Sequence, residues 1–177
     1  MTASAAHQRG LFEDGATAGA VISPCGRYRY RLWRRWDPGF SVTWLMLNPS
    51  TADAEVDDPT IRKCIGFSKR WGYSAIEVVN LFAWRATDPK DLLARWRSAH
   101  DIVGPDNDRH ILSAVARSPL VVAAWGNDDA ARLGGRDAAV LHGFGAECLG
   151  RTSKGAPRHP LMLAYDTALV QFRARPP

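Results

Sequence analysis

The apolar positions of this chain fall into short runs separated by amphipathic stretches. Ser41–Leu47 (SVTWLML), Ala75–Leu81 (AIEVVNL) and Leu120–Trp125 (LVVAAW) read as strands. The third is apolar throughout, which marks a strand buried on both faces of a parallel sheet. A fourth, shorter strand is read at AECLG, Ala146–Gly150. Tyr28–Trp36 alternates with period two, and Asp37-Pro38-Gly39 is turn chemistry, so this segment and Ser41–Leu47 are predicted to form a hairpin. Between the strands the rhythm changes to 3.6. Asp58-Pro59 is a helix start, with Asp able to cap free amides and Pro suited to the first turn. That helix would bury Ile61, Cys64, Ile65 and Trp71 and end at Gly72. Further helices are predicted from Pro89 to about His100 and from Asp106 or Asn107 through Val115. Another runs from Ala130 to Phe144, with an interruption at Gly134-Gly135. Tyr165–Arg173 is predicted as a closing helix.

Alternating strands and helices argue for an α/β fold, a mostly parallel sheet with helices on both faces. Residues 21–177 are read as one domain, since 177 residues fit a single core. Residues 1–20 are read as a flexible tail. The segment MTASAAHQRGLFEDG has no apolar secretory core, and no run approaches the roughly 20 apolar residues that span a bilayer. A cytoplasmic monomer without membrane contact is the expectation.

Charge adds one element to the picture. The chain has 23 basic and 18 acidic residues, a net charge of +5, which suits a polyanionic partner. RYRYRLWRRW, Arg27–Trp36, interleaves arginine with aromatic rings, a pairing that can hold phosphates and stack on bases. The plainer reading is an edge strand with a solvated basic face. Cys25, Cys64 and Cys148 are far apart and odd in number, so they read as buried thiols and not as a metal or disulfide framework. The phosphate loop G-x4-G-K-S/T, the dinucleotide pattern G-x-G-x-x-G and the nucleophile elbow G-x-S-x-G are all absent from the sequence.

In open α/β sheets, ligands collect at the carboxyl ends of the strands. Polar residues stand at four such places here: Asn48, Asn80, Gly126-Asn127 and His159. Asn48-Pro49 also reads as an ordinary turn, and His159 as an ordinary loop histidine. Asn80 interrupts an apolar strand, so its amide needs hydrogen-bond partners, either from the backbone or from a ligand. The acidic loop holding Asp53, Glu55, Asp57 and Asp58 matches no metal-ligand spacing, and helix capping explains Asp58.

Four short motifs, in this order, resemble the uracil-DNA glycosylase superfamily: MLNPS, VVNLFA, VVAAWGN and RHPLML. They cover about Val42 to Leu163, and the fit is to a divergent bacterial branch catalogued as a domain of unknown function. The resemblance implies a three-layer α/β/α sandwich with a short, mostly parallel central sheet. It implies cleavage of the N-glycosidic bond of uracil, and of other deaminated bases, in single- or double-stranded DNA, with no cofactor and no metal. Asn48 would position water or stabilise the cationic sugar, and His159 would donate to the departing base. Asn80 would read the base edge and Ser50 would line its pocket, with Phe82 or Phe40 as the stacking ring. Pro49, Pro160, Lys154 and Arg158 would meet the DNA, with Leu161 as the wedge. Asn48 stands where the uracil-strict branches have Asp, which implies slower chemistry. Ser50 replaces a bulky aromatic, which implies a permissive pocket.

Glycosidic cleavage passes through an oxocarbenium-like sugar, so charge stabilisation matters more than a strong nucleophile. Two other readings are compatible with the residues. One is a silent DNA-binding or modified-base-binding module, motivated by Arg27–Trp36. The other is a metal-dependent hydrolase using Asp53, Asp57, Asp58 and His159.

Overall fold

Two strands, β3 (Ser41–Met46) and β4 (Ala75–Asn80), are buried at every position and lie side by side in parallel. A computed structural model describes residues 17–50, 57–88 and 90–173. Around this pair it places β1 (Ala18–Ile22), β2 (Arg29–Arg35), β5 (Leu120–Ala123), β6 (Ala146–Cys148) and β7 (Val170–Phe172). The seven-stranded sheet runs in the order β1-β2-β4-β3-β5-β6-β7. Its four central strands, β4-β3-β5-β6, are parallel, and the pairings toward both edges are antiparallel. The α/β expectation holds. The sheet is larger than expected, and half of its pairings are antiparallel.

Helix α1 (Pro59–Arg70) covers one face, setting Ile61, Cys64 and Phe67 against Val42, Trp44 and Ile76. The other face takes α2 (Lys90–Arg97), α3 (Asn107–Arg117) and α4 (Arg136–Leu141), whose Leu92, Ile111 and Val140 pack with Leu45, Val79 and Ala123. The α1 start follows its sequence signal: Asp58 Oδ1 accepts the Ile61 N–H at 2.8 Å, and Pro59 occupies the first turn. The stretch expected as one helix from Ala130 is a 3-10 segment, Asp129–Gly135, broken at Leu133-Gly134 and followed by α4.

Three expectations are corrected. First, β2 and β3 do not form a hairpin, because β4 lies between them. The chain crosses over the start of β4: Trp36 and Asp37 N–H groups donate to Ser74 O, and Ser74 N–H donates to Phe40 O. Gly39, at φ +145°, fits this crossing because a Cβ there would lie 2.6 Å from Ser74 Oγ. Second, β2 is not a basic edge strand. β1, which begins at Ala18 inside the stretch assigned to the tail, covers it. Tyr30, Trp33, Arg29 and Arg34 are buried, while Arg27 is exposed and Tyr28, Arg31, Arg35 and Trp36 are half-buried, so only part of this segment faces solvent. Third, Tyr165–Arg173 is not a helix. It makes a turn in which the Thr167 N–H and hydroxyl both donate to Ala164 O, then pairs β7 with β6.

Cys64 and Cys148 are buried as expected, but Cys25 is exposed on the turn between β1 and β2. The proposed tail lies outside the described residues up to position 16, as do Asp53 and Glu55 of the acidic loop. Among the described residues, no helix is long and apolar enough to cross a membrane.

Candidate functional site

The chain leaves β3 through α1 on one face and leaves β5 through α4 on the other, so the sheet changes winding direction between adjacent strands. A crevice at the carboxyl ends is expected there. The structure has a cleft of about 440 Å³ at that rim, and Asn48, Asn80 and His159 all line it. Because β2 runs antiparallel to β4, the start of β2 reaches the same rim and brings in Arg29.

Each of the three predicted side chains has a defined hydrogen-bonding direction. Asn48 donates through Nδ2 to Pro49 O at 3.1 Å and Ala86 O at 2.8 Å. Both of its N–H groups are thereby engaged, so Oδ1 is the atom it offers the cleft. Asn80 is 1% exposed, and its Nδ2 is buried with no hydrogen-bond partner in the structure. An unanswered buried donor costs about 1–3 kcal/mol, which a ligand acceptor would recover. Asn107, buried at the start of α3, donates to Asn80 O and Leu81 O, fixing the backbone that carries this amide. His159 Nδ1 accepts the Leu161 N–H at 3.3 Å, so the neutral ring carries its proton on Nε2. Burial lowers the imidazole pKa, and the Asp58 carboxylate partly offsets that, so the ring is neutral near pH 7.

The His159 backbone is held in place by the strand opposite. Gly126 N–H donates to Pro157 O, which docks the end of β5 on the His159 loop. Gly126 has φ +79°, and a Cβ there would come within 3.2 Å of His159 Cβ, so glycine meets two requirements at once.

Charge enters from Arg29 and from two carboxylates, Asp58 and Asp128. Arg29 is buried, and burial lowers its pKa to about 10, with Asp58 acting in the opposite direction. Asp58 lines the cleft beside Ser50, whose hydroxyl donates to Asp58 Oδ2 at 3.5 Å.

The other expected residues divide. Ser50 lines the cleft. Pro49 is buried beneath it and accepts from Asn48. Pro160 is buried, but Leu161 and Met162 project at 37% and 88% exposure immediately after His159. Arg158 is exposed, and Lys154 pairs with Asp129 at 3.3 Å, beside a neighbouring pocket and not the cleft. Neither aromatic candidate can stack on a ligand there. Phe82 is fully buried in the core under α3, and Phe40 precedes β3, about 20 Å of strand away from Asn48. Trp125 is the aromatic that lines the cleft, braced edge-on by Phe172. Its signal was the Trp-Gly pair at the end of LVVAAW. Arg29 belongs to the basic and aromatic segment Arg27–Trp36, but only the antiparallel placement of β2 brings it to the cleft.

Among the described residues, no group of three or more His, Cys, Asp and Glu side chains could hold a metal. Asp57 is drawn onto Arg34 at 2.7 Å and Asp58 onto the start of α1.

Residues 29–161 match the family described as "Protein of unknown function (DUF1643)", and the chain belongs to that family. No curated protein and no solved structure matches it.

Proposed function

We propose that this protein is a metal-independent DNA glycosylase that hydrolyses the N-glycosidic bond of uracil and of other deaminated bases. The observation that carries this reading is the convergence of Asn48, Asn80 and His159 in one cleft, with a free acceptor, a free donor and a protonated Nε2. Asn80 Nδ2 meets a carbonyl oxygen on the base edge, where an amino group would offer no acceptor. His159 Nε2–H donates to the base oxygen on which negative charge develops as the bond breaks. A donor so placed contributes about 3–4 kcal/mol to the barrier reduction. Asn48 Oδ1 accepts a hydrogen bond from the attacking water, and Trp125 offers a ring to the base face. Leu161 and Met162 form an exposed apolar tip that can fill the gap left by an extruded nucleotide. The small Ser50 side chain leaves the pocket permissive.

The test is incubation of purified protein with single- and double-stranded oligonucleotides, followed by alkali. The substrates carry uracil, hypoxanthine, xanthine or mismatched thymine. Cleavage at uracil that falls about 10²–10³-fold in Asn80→Ala is expected. If every substrate stays intact while a control glycosylase cuts it, the reading is wrong.

A further inference from the structure

The two adjacent carboxylates that open α1 are used differently. Asp57 Oδ1 takes Arg34 Nε at 2.7 Å, and Asp57 O accepts from Arg62 Nη1, so this residue ties the loop to β2 and α1. Asp58 uses one oxygen, Oδ1, to cap Ile61 N–H at 2.8 Å. Its other oxygen meets the Ser50 hydroxyl at 3.5 Å, the outer limit of a hydrogen bond. Asp58 lines the cleft with Asn48 and His159, and its capping bond holds the carboxylate in one orientation.

The other polar groups of the proposed mechanism cannot take a proton. Amides are not bases at neutral pH, and His159 receives an N–H at Nδ1 while Nε2 already carries its proton. Of the two carboxylates lining the cleft, Asp128 points its Oδ1 at Ala130 N–H on the far side, next to a second cavity. Asp58 is the one whose charge acts on both His159 and Arg29. The positive charge of Arg29 nearby also keeps the carboxylate from repelling the phosphates of a DNA ligand.

We infer that Asp58 is a catalytic residue, a carboxylate that takes the proton of the attacking water and faces the sugar cation. The inference rests on the glycosylase reading. The water oxygen bonds to C1′ as one of its protons moves to Asp58 Oδ2. The C1′–N bond breaks, and its electron pair leaves on the base, whose anion meets Asn80 Nδ2 and His159 Nε2–H. The proton then passes from Asp58 through solvent to the base anion, which restores the carboxylate. Asn48 and Asp58 divide one task between them, the amide orienting the water and the carboxylate accepting its proton.

Asp58→Asn tests this cleanly, because Asn caps helices about as well as Asp, so the fold should be retained. Two measurements are made on wild type and variant. The first is steady-state cleavage of uracil-containing DNA, where kcat should fall about 100-fold or more with KM little changed. The second needs no turnover. It compares the affinity for DNA holding a cationic pyrrolidine sugar with that for DNA holding a neutral tetrahydrofuran sugar. Wild type should prefer the cation by about tenfold or more, and Asp58→Asn should abolish that margin. If wild type cleaves and the variant cleaves within about threefold of it, the role of Asp58 is overturned and the glycosylase reading stands. If wild type cleaves nothing, the glycosylase reading fails and the catalytic role of Asp58 fails with it. A missing cation preference, or one that survives Asp58→Asn, overturns the role.

Discussion

Glu77 and Asn80 are both polar, both on β4 and both essentially buried, yet their surroundings differ completely. Glu77 is fully answered: Arg117 reaches its two oxygens at 3.2 and 2.6 Å, and Arg31 lies 3.6 Å away. Asn80, three residues on and at the carboxyl end of the same strand, leaves Nδ2 without a partner. A buried charge left unpaired would be very costly, so Glu77 has to be satisfied within the chain itself. A neutral amide tolerates one missing bond at about 1–3 kcal/mol, and that tolerance makes it usable as a site. The difference separates a polar residue that serves the fold from one that serves a ligand.

The largest expected effect is on the Glu77 side. Glu77→Ala leaves Arg117 and Arg31 facing an empty apolar site, and urea titration should show a loss of about 3–5 kcal/mol. A loss below about 1 kcal/mol would mean the cluster is not structural. Next is Asn80→Ala. Stability should change by no more than about 1 kcal/mol, since the amide that is removed carries an Nδ2 already unanswered in the wild type. Turnover of uracil-containing DNA should fall about 10²–10³-fold. A large stability loss with unchanged rate would reverse the assignment of the two residues. Gly126→Ala comes third. The left-handed backbone and the contact with His159 should cost about 1–2 kcal/mol in thermal unfolding and reduce turnover as the imidazole shifts.

The smallest effect is in pH. Burial lowers the folded-state pKa of His159 below 6.5, so folding favours the neutral ring. That contribution is complete above pH 6.5 and is lost as pH falls from there through the lower folded value. His110 is lowered in the same direction by burial and neighbouring arginines, so the slope has two sources. His159→Gln removes one of them. Its stability should decline less than that of wild type between about pH 7 and about pH 5. Equal slopes would mean that burial of His159 does not bias its protonation.

The parts of the molecule legible in the sequence are those written in local pattern. The apolar runs of β3, β4 and β5 and the Asp58-Pro59 start of α1 carry their own signals, and the carboxyl-end rule then gathers Asn48, Asn80 and His159. Strand order is not local. Period-two alternation in Tyr28–Trp36 is the same whether the neighbour is β3 or β4, and β4, buried at every position, takes a partner on each side. The closing segment failed for a related reason. The apolar spacing of Tyr165–Arg173 allows a helix, but the open edge of β6 captures Val170–Phe172 as a strand. Phe40 and Phe82 are rings close to the motifs in the sequence. Burial and strand direction, neither of which ring type encodes, exclude them and bring Trp125 to the cleft.

The most direct measurement is a crystal structure with DNA carrying a 2′-fluorinated deoxyuridine, which resists cleavage. The uracil should sit in the cleft with a carbonyl oxygen about 2.9 Å from Asn80 Nδ2 and His159 Nε2 on an oxygen of the same base. A base bound elsewhere, or an Asn80 Nδ2 still without a partner, would contradict the assignment of that buried amide to a ligand.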